Sequence, residues 1–86
     1  MSTITPAQAR AQLRRYHFAR MHFSITAERV TKAVERQLSS LDNPGFCVTC
    51  GAEASDGCEP DAEQLECESC GEPAVYGAEE ILIAIA

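Results

Sequence analysis

Two copies of one short motif, Cys47-Val48-Thr49-Cys50-Gly51 and Cys67-Glu68-Ser69-Cys70-Gly71, constrain the fold of this chain more than any other feature. Sixteen residues separate them, so the pattern reads C-x2-C-x16-C-x2-C, a spacing expected of four-cysteine zinc sites. Two residues between thiolates form a tight turn that brings both sulfurs to one cation at about 2.3 Å. Glycine after the second cysteine admits a left-handed turn, in which backbone N–H groups point at the sulfurs. Two such turns complete a tetrahedron. One Zn2+ held by Cys47, Cys50, Cys67 and Cys70 leaves no open coordination position, so the expected metal is structural rather than hydrolytic. A ribbon this short builds little core alone. Structural zinc supplies roughly 10–16 kcal/mol of apparent binding free energy, which becomes folding free energy.

The chain has 86 residues and five cysteines. That length suits one small domain, or a module with an appended helix, and is too short for a roomy enzyme pocket. The longest apolar run, Ile81 to Ala86, is six residues, against roughly 20 for a membrane span. The opening Met1-Ser2-Thr3-Ile4-Thr5-Pro6 lacks the apolar centre of a signal peptide. The expectation is therefore a cytoplasmic protein with no membrane partner, whose reduced thiols favour metal over disulfides. Cys58 has no CxxC partner and sits among acids that would raise its pKa. It reads as a structural or incidental thiol, with an alternate ligand or redox sensor as the other option.

Charge divides the chain. Met1 to Leu41 carries seven basic residues and two acids, a net of +5. Asp42 to Ala86 carries eleven acids and no Lys or Arg. The two halves either attract each other or present oppositely charged faces to partners. The acidic half disfavours whole-domain DNA binding.

The expected architecture is small α+β: a helix pair, then a four-cysteine zinc ribbon with short strands and a short C-terminal element. The division is a basic helical segment, 1–45, followed by an acidic ribbon, 46–86. Thr5, Pro6 and Gln8 form a capping box with proline at N1, opening a helix to about His22. A break around Ser24 to Thr26 follows. Thr26 caps a second helix, Ile25 and Val30 form a hydrophobic staple, and Glu28–Lys32 is an i,i+4 pair. Ala27, Val30, Val34, Leu38 and Leu41 share one face of that helix. Asp42-Asn43-Pro44-Gly45 stops it. A single kinked helix fits the pattern as well. Strands are expected near Phe46–Val48, Gln64–Cys67 and Ala74–Tyr76. In the tail, Glu79 and Glu80 favour a helix start, whereas Ile81, Ile83 and Ile85 alternate like a strand; a short helix is the preferred reading.

No catalytic constellation is visible, and the expectation is a protein that is not an enzyme. His17 and His22 point about 140° apart on a helix, so they do not share a metal. Arg10, Arg14, Arg15 and Arg20, interleaved with Tyr16, His17 and Phe18, would grip a nucleic-acid backbone. A solvated helix face, or a surface docked on the chain's own acidic half, is the preferred reading of these arginines.

From about Ile25 onward the chain resembles a family of small bacterial and phage proteins. The likeness is carried by Ile25-Thr26-Ala27-Glu28-Arg29-Val30, Leu41-Asp42-Asn43-Pro44-Gly45-Phe46-Cys47, Cys50-Gly51, Glu59-Pro60-Asp61-Ala62 and Glu66-Cys67-Glu68-Ser69-Cys70-Gly71. It continues through Ala74-Val75-Tyr76-Gly77-Ala78-Glu79-Glu80 and does not include the basic first helix. The resemblance implies a helix followed by a zinc ribbon, with metal at the four named cysteines, and carriage on phages and mobile elements. It supplies no activity.

Charge and resemblance together lead to one functional expectation. A zinc-ribbon module docks Glu53, Asp56, Glu59, Asp61, Glu63, Glu66 and Glu68 on a basic groove of a host protein or nucleoprotein complex. An anti-defence protein that imitates nucleic acid, such as an anti-CRISPR inhibitor, is the sharpest form of that idea. The helix faces form the core or a homodimer surface. The alternatives are nucleic-acid or transcription-accessory binding through the four arginines, and rubredoxin-like electron transfer. Phe46 and Tyr76, the only aromatics in the ribbon, are few for a rubredoxin-like core.

Overall fold

The structure is a computed structural model that describes residues 3–39, 43–54, 59 and 62–85. It is small α+β. Two helices, α1 (Pro6–Ala19) and α2 (Ala27–Ser39), precede an antiparallel sheet of β1 (Gly45–Cys47), β2 (Glu53–Ala54), β3 (Leu65–Glu66) and β4 (Pro73–Gly77). Helix α3 (Ala78–Ile85) follows directly. The sheet order is β2-β1-β4-β3, with Phe46 opposite Tyr76 and Cys47 opposite Val75 at its centre.

Helix α1 begins as its sequence dictates. The Gln8 N–H donates to Thr5 Oγ1 at 3.1 Å, and the Thr5 N–H donates to Gln8 Oε1 at 2.8 Å. It ends at Ala19 rather than near His22. The His22 N–H donates instead to the Val48 carbonyl, at 2.7 Å, on the first cysteine turn. A long-range bond thus replaces the last helical turn, and the chain enters α2 as a separate helix.

Helix α2 is capped by Thr26, whose Oγ1 accepts from the Arg29 N–H at 3.2 Å. Ile25 and Val30 are both buried, as a staple requires. The buried face differs from the expected one. Ala33 lies in the core with Val30, Val34 packs at its edge, and Leu38 is 79% exposed. The small Ala33 side chain sits in the core where α2 packs against α3. Gln37 crosses to α3, donating from Nε2 to Glu79 Oε2 at 3.3 Å. Leu41 and Asp42, assigned to the end of this helix from the sequence, lie outside the described residues.

The sheet differs from expectation by one strand. Glu53 and Ala54 pair with Phe46 and Gly45 as an edge ladder, which two residues without β-branching do not announce. The tail is helical. Ile81 is fully buried and Ile85 partly so, while Ile83 is 65% exposed, the one-sided burial of an i,i+4 row rather than strand alternation.

Among the described residues one core joins the helices to the sheet. Tyr76, Phe46, Ile81, Val30, Val48, Pro44 and Cys47 are its largest fully buried side chains, contributed by α2, the residue before β1, β1 itself, β4, α3 and the first cysteine turn. Among the described residues, no helix is long and apolar enough to cross a membrane.

Candidate metal centre

The two CxxCG segments form near-identical turns. Cys47 and Cys67 each donate a backbone N–H to the carbonyl five residues on, Ala52 and Glu72, both at 2.9 Å. Gly51 and Gly71 donate back to the Cys47 and Cys67 carbonyls, both at 2.8 Å. Both glycines have positive φ, +81° and +77°, the left-handed conformation that lets the chain fold back over its thiols. The Ser69 N–H points at Cys67 Sγ, 3.3 Å away.

Pairing of β1 with β4 brings the two turns face to face. Cys47 Sγ lies 3.6 Å from Cys70 Sγ, and Cys50 Sγ lies 3.7 Å from Cys67 Sγ. All four sulfurs fall within 4.8 Å of one another. A tetrahedral ion with sulfur at about 2.3 Å separates its ligands by about 3.8 Å, so the donor set and its spacing fit a metal ion. The cluster is compatible with a zinc-binding module. No protein-family model, no curated protein and no solved structure matches the chain.

The thiols are not electrostatically equal. Burial pushes Cys47 up to about 12, against the N–H groups of Cys50 and Thr49 that favour its thiolate. The Cys70 N–H, opposed by burial and helped by the Ser69 N–H, brings Cys67 down to about 7. A metal ion taken up by these sulfurs displaces thiol protons, which links uptake to pH.

The turns also differ in their surroundings. A Cβ on Gly51 would collide with Ser24 Oγ and lie 2.8 Å from His22 Nδ1, whereas one on Gly71 would meet nothing within 4 Å. The α1–α2 linker therefore roofs the first turn. His22 Nδ1 and Ser24 Oγ are 2.8 Å apart, and the Arg29 guanidinium donates to Ser24 Oγ at 3.2 Å while lying over the Phe46 ring. Sequence reasoning missed this roof because helical periodicity ran straight through His22. Cys70, on the second turn, is exposed.

The charged residues singled out from the sequence divide into internal and external sets. Arg14 bridges α1 to the ribbon, contacting Glu63 at 2.7 Å and Glu80 at 3.3 Å. Arg36 holds Glu53 at 2.9 Å. Glu53, Glu63 and Arg14 are thus engaged within the chain. Glu59, Glu66 and Glu68 are exposed. The Arg10 carbonyl accepts from Gln64 Nε2 at 2.8 Å, the Arg20 guanidinium lies 5.0 Å from the Tyr16 ring centre, and Arg15 is exposed. Asp56, Asp61 and Cys58 lie outside the described residues.

His17 is buried. Its Nδ1 and the Tyr76 hydroxyl are 2.7 Å apart, and burial holds it below its ordinary pKa of 6.5, against the charge of Glu72.

Proposed function

We propose that this chain is a zinc-ribbon protein-binding module in which one structural Zn2+ at Cys47, Cys50, Cys67 and Cys70 holds an acidic surface in shape. The observation that carries the reading is the absence of any Lys or Arg among the residues after Leu41, where eleven acids lie. Internal arginines engage Glu53 and Glu63, and among the described residues Glu59, Glu66 and Glu68 are exposed, as is Glu72. Such a surface complements a basic groove of the kind that holds nucleic acid. An anti-defence inhibitor acting on a host nucleoprotein complex, cytoplasmic and encoded by a phage, is the specific form of this proposal; charge and the family resemblance support it. Zinc with four thiolates and no open position supplies rigidity rather than catalysis, so the proposed role is binding, not turnover.

Two measurements test the reading. Elemental mass spectrometry on untagged protein should find one colourless zinc per chain; red, iron-loaded protein whose redox activity survives zinc competition would replace it with electron transfer. Zinc-loaded protein should then retain a partner that the triple variant Glu59→Lys, Glu66→Lys, Glu68→Lys releases. Unchanged retention would refute acidic docking.

A further inference from the structure

The acidic ribbon is not the only surface that the fold leaves open. Of the five aromatic residues in the chain, Phe46 and Tyr76 are fully buried and Phe18 packs against the core. Tyr16 and Phe23 are different: they are 56% and 88% exposed. Each has one face already occupied by a flat neighbour. The Arg20 guanidinium lies over the Tyr16 ring, 5.0 Å from its centre. The His22 imidazole stacks on Phe23 at 4.4 Å and 27°.

Arg15, Tyr16 and Ala19 on α1 and Arg20 at its C-cap are all exposed, whereas His17 is the buried residue of the helix. The linker is held in place by the His22 N–H on the Val48 carbonyl and by His22 and Ser24 over Gly51. Phe23 is therefore displayed from an anchored segment rather than from a loose loop.

We propose that this arginine–aromatic face binds single-stranded nucleic acid, with bases stacking on Tyr16 and Phe23 and phosphates meeting Arg15 and Arg20. Exposed aromatic faces alternating with cations are what an unpaired strand requires, because every base has a π-face and every linkage a charge. A second copy of this chain meets that requirement poorly. Its exposed glutamates complement the arginines, but Phe46 and Tyr76 of its ribbon are buried, and its exposed Tyr16 and Phe23 come with arginines of like charge. None of these residues is among Glu59, Glu66 and Glu68, so the proposal stands independently of acidic docking.

The test uses zinc-loaded full-length protein and a fluorescently labelled oligothymidylate of about 20 nucleotides, followed by anisotropy from low to moderate salt. Binding should be saturable at low salt, with a log–log salt slope of about −1.4 for two phosphate contacts. Phe23→Ala and Tyr16→Ala should each weaken binding about tenfold or more, with circular dichroism and zinc content unchanged. Glu66→Gln with Glu68→Gln should not weaken it. The absence of binding at low salt, wild-type affinity in Phe23→Ala, or equal binding to a duplex of the same length would overturn the proposal. So would concentration-dependent, salt-sensitive self-association that Phe23→Ala abolishes, since the face would then serve a second copy.

Discussion

His17 Nδ1 lies 2.7 Å from the Tyr76 hydroxyl, and their rings meet nearly edge-on at 82°. Tyr76 is fully buried on the central strand β4, and His17 is the buried residue of α1. This bond is a buried polar pin between the first helix and the ribbon, beside the more exposed contacts of Arg14 and Arg10. Tyr76→Phe removes the hydroxyl and leaves a buried imidazole nitrogen unpaired, at a cost of about 1–3 kcal/mol. Chemical denaturation of the zinc-loaded protein should show that loss, while metal stoichiometry stays at one.

The same histidine sets a pH dependence. Burial lowers its pKa in the folded protein below 6.5, its ordinary value. Between the folded and unfolded values the unfolded chain binds the extra proton, so stability falls as pH drops through 6.5 and keeps falling to the folded pKa. Above 6.5 His17 contributes no slope. Stability measured at saturating zinc should decline less steeply with acid in His17→Gln than in wild type, and parallel curves would show that His17 does not titrate in this way.

Gly51 and Gly71 offer a matched comparison. Both have positive φ, so alanine at either costs about 1 kcal/mol in backbone conformation. Only at Gly51 would the new methyl strike Ser24 and His22. Gly51→Ala should therefore be the more destabilising by about 1–3 kcal/mol and should displace the linker, seen as altered His22 and Phe23 resonances. Gly71→Ala should leave those resonances in place.

Arg14 sits between two carboxylates. Burial, together with neighbouring Glu63, raises the Glu80 pKa, and Arg14 opposes both. Removing the guanidinium in Arg14→Ala leaves two acids facing each other. Partial exposure limits the expected cost to about 0.5–1 kcal/mol. Adding Glu63→Gln should restore part of it, so the double variant should be more stable than Arg14→Ala alone in a thermal denaturation cycle.

Metal removal should reach beyond the ribbon. Cys47 is fully buried within the core that also contains Val30 of α2 and Ile81 of α3. Chelation, or Cys47→Ser, should therefore reduce far-UV helical signal as well as metal content. Cys58→Ser should leave one metal per chain, because the four-sulfur cluster is complete without it.

Much of the site was legible because its determinants are local. CxxCG fixes a turn within five residues, and Thr5 with Gln8 fixes a helix start within four. The end of α1 was not legible, because it is decided by the Val48 carbonyl, 26 residues away from its donor His22. The burial of Ala33 instead of Leu38 was hidden for a similar reason: periodicity locates an apolar stripe but not which residues the rest of the fold covers. The sign pattern of charge was plain in the sequence. Its division into paired and outward residues was not, since Arg14 finds Glu63 and Arg36 finds Glu53 only after the sheet has formed.

The unequal cover over two otherwise matching turns gives the metal centre a direction. Ligand exchange requires an incoming donor to reach a sulfur, and the exposed Cys70 beside the open Gly71 is where one can arrive. The first turn lies beneath His22 and Ser24, and its Cys47 is buried. A donor arriving from solvent at a metal ion held by these four sulfurs would therefore meet the exposed Cys70 before the buried Cys47.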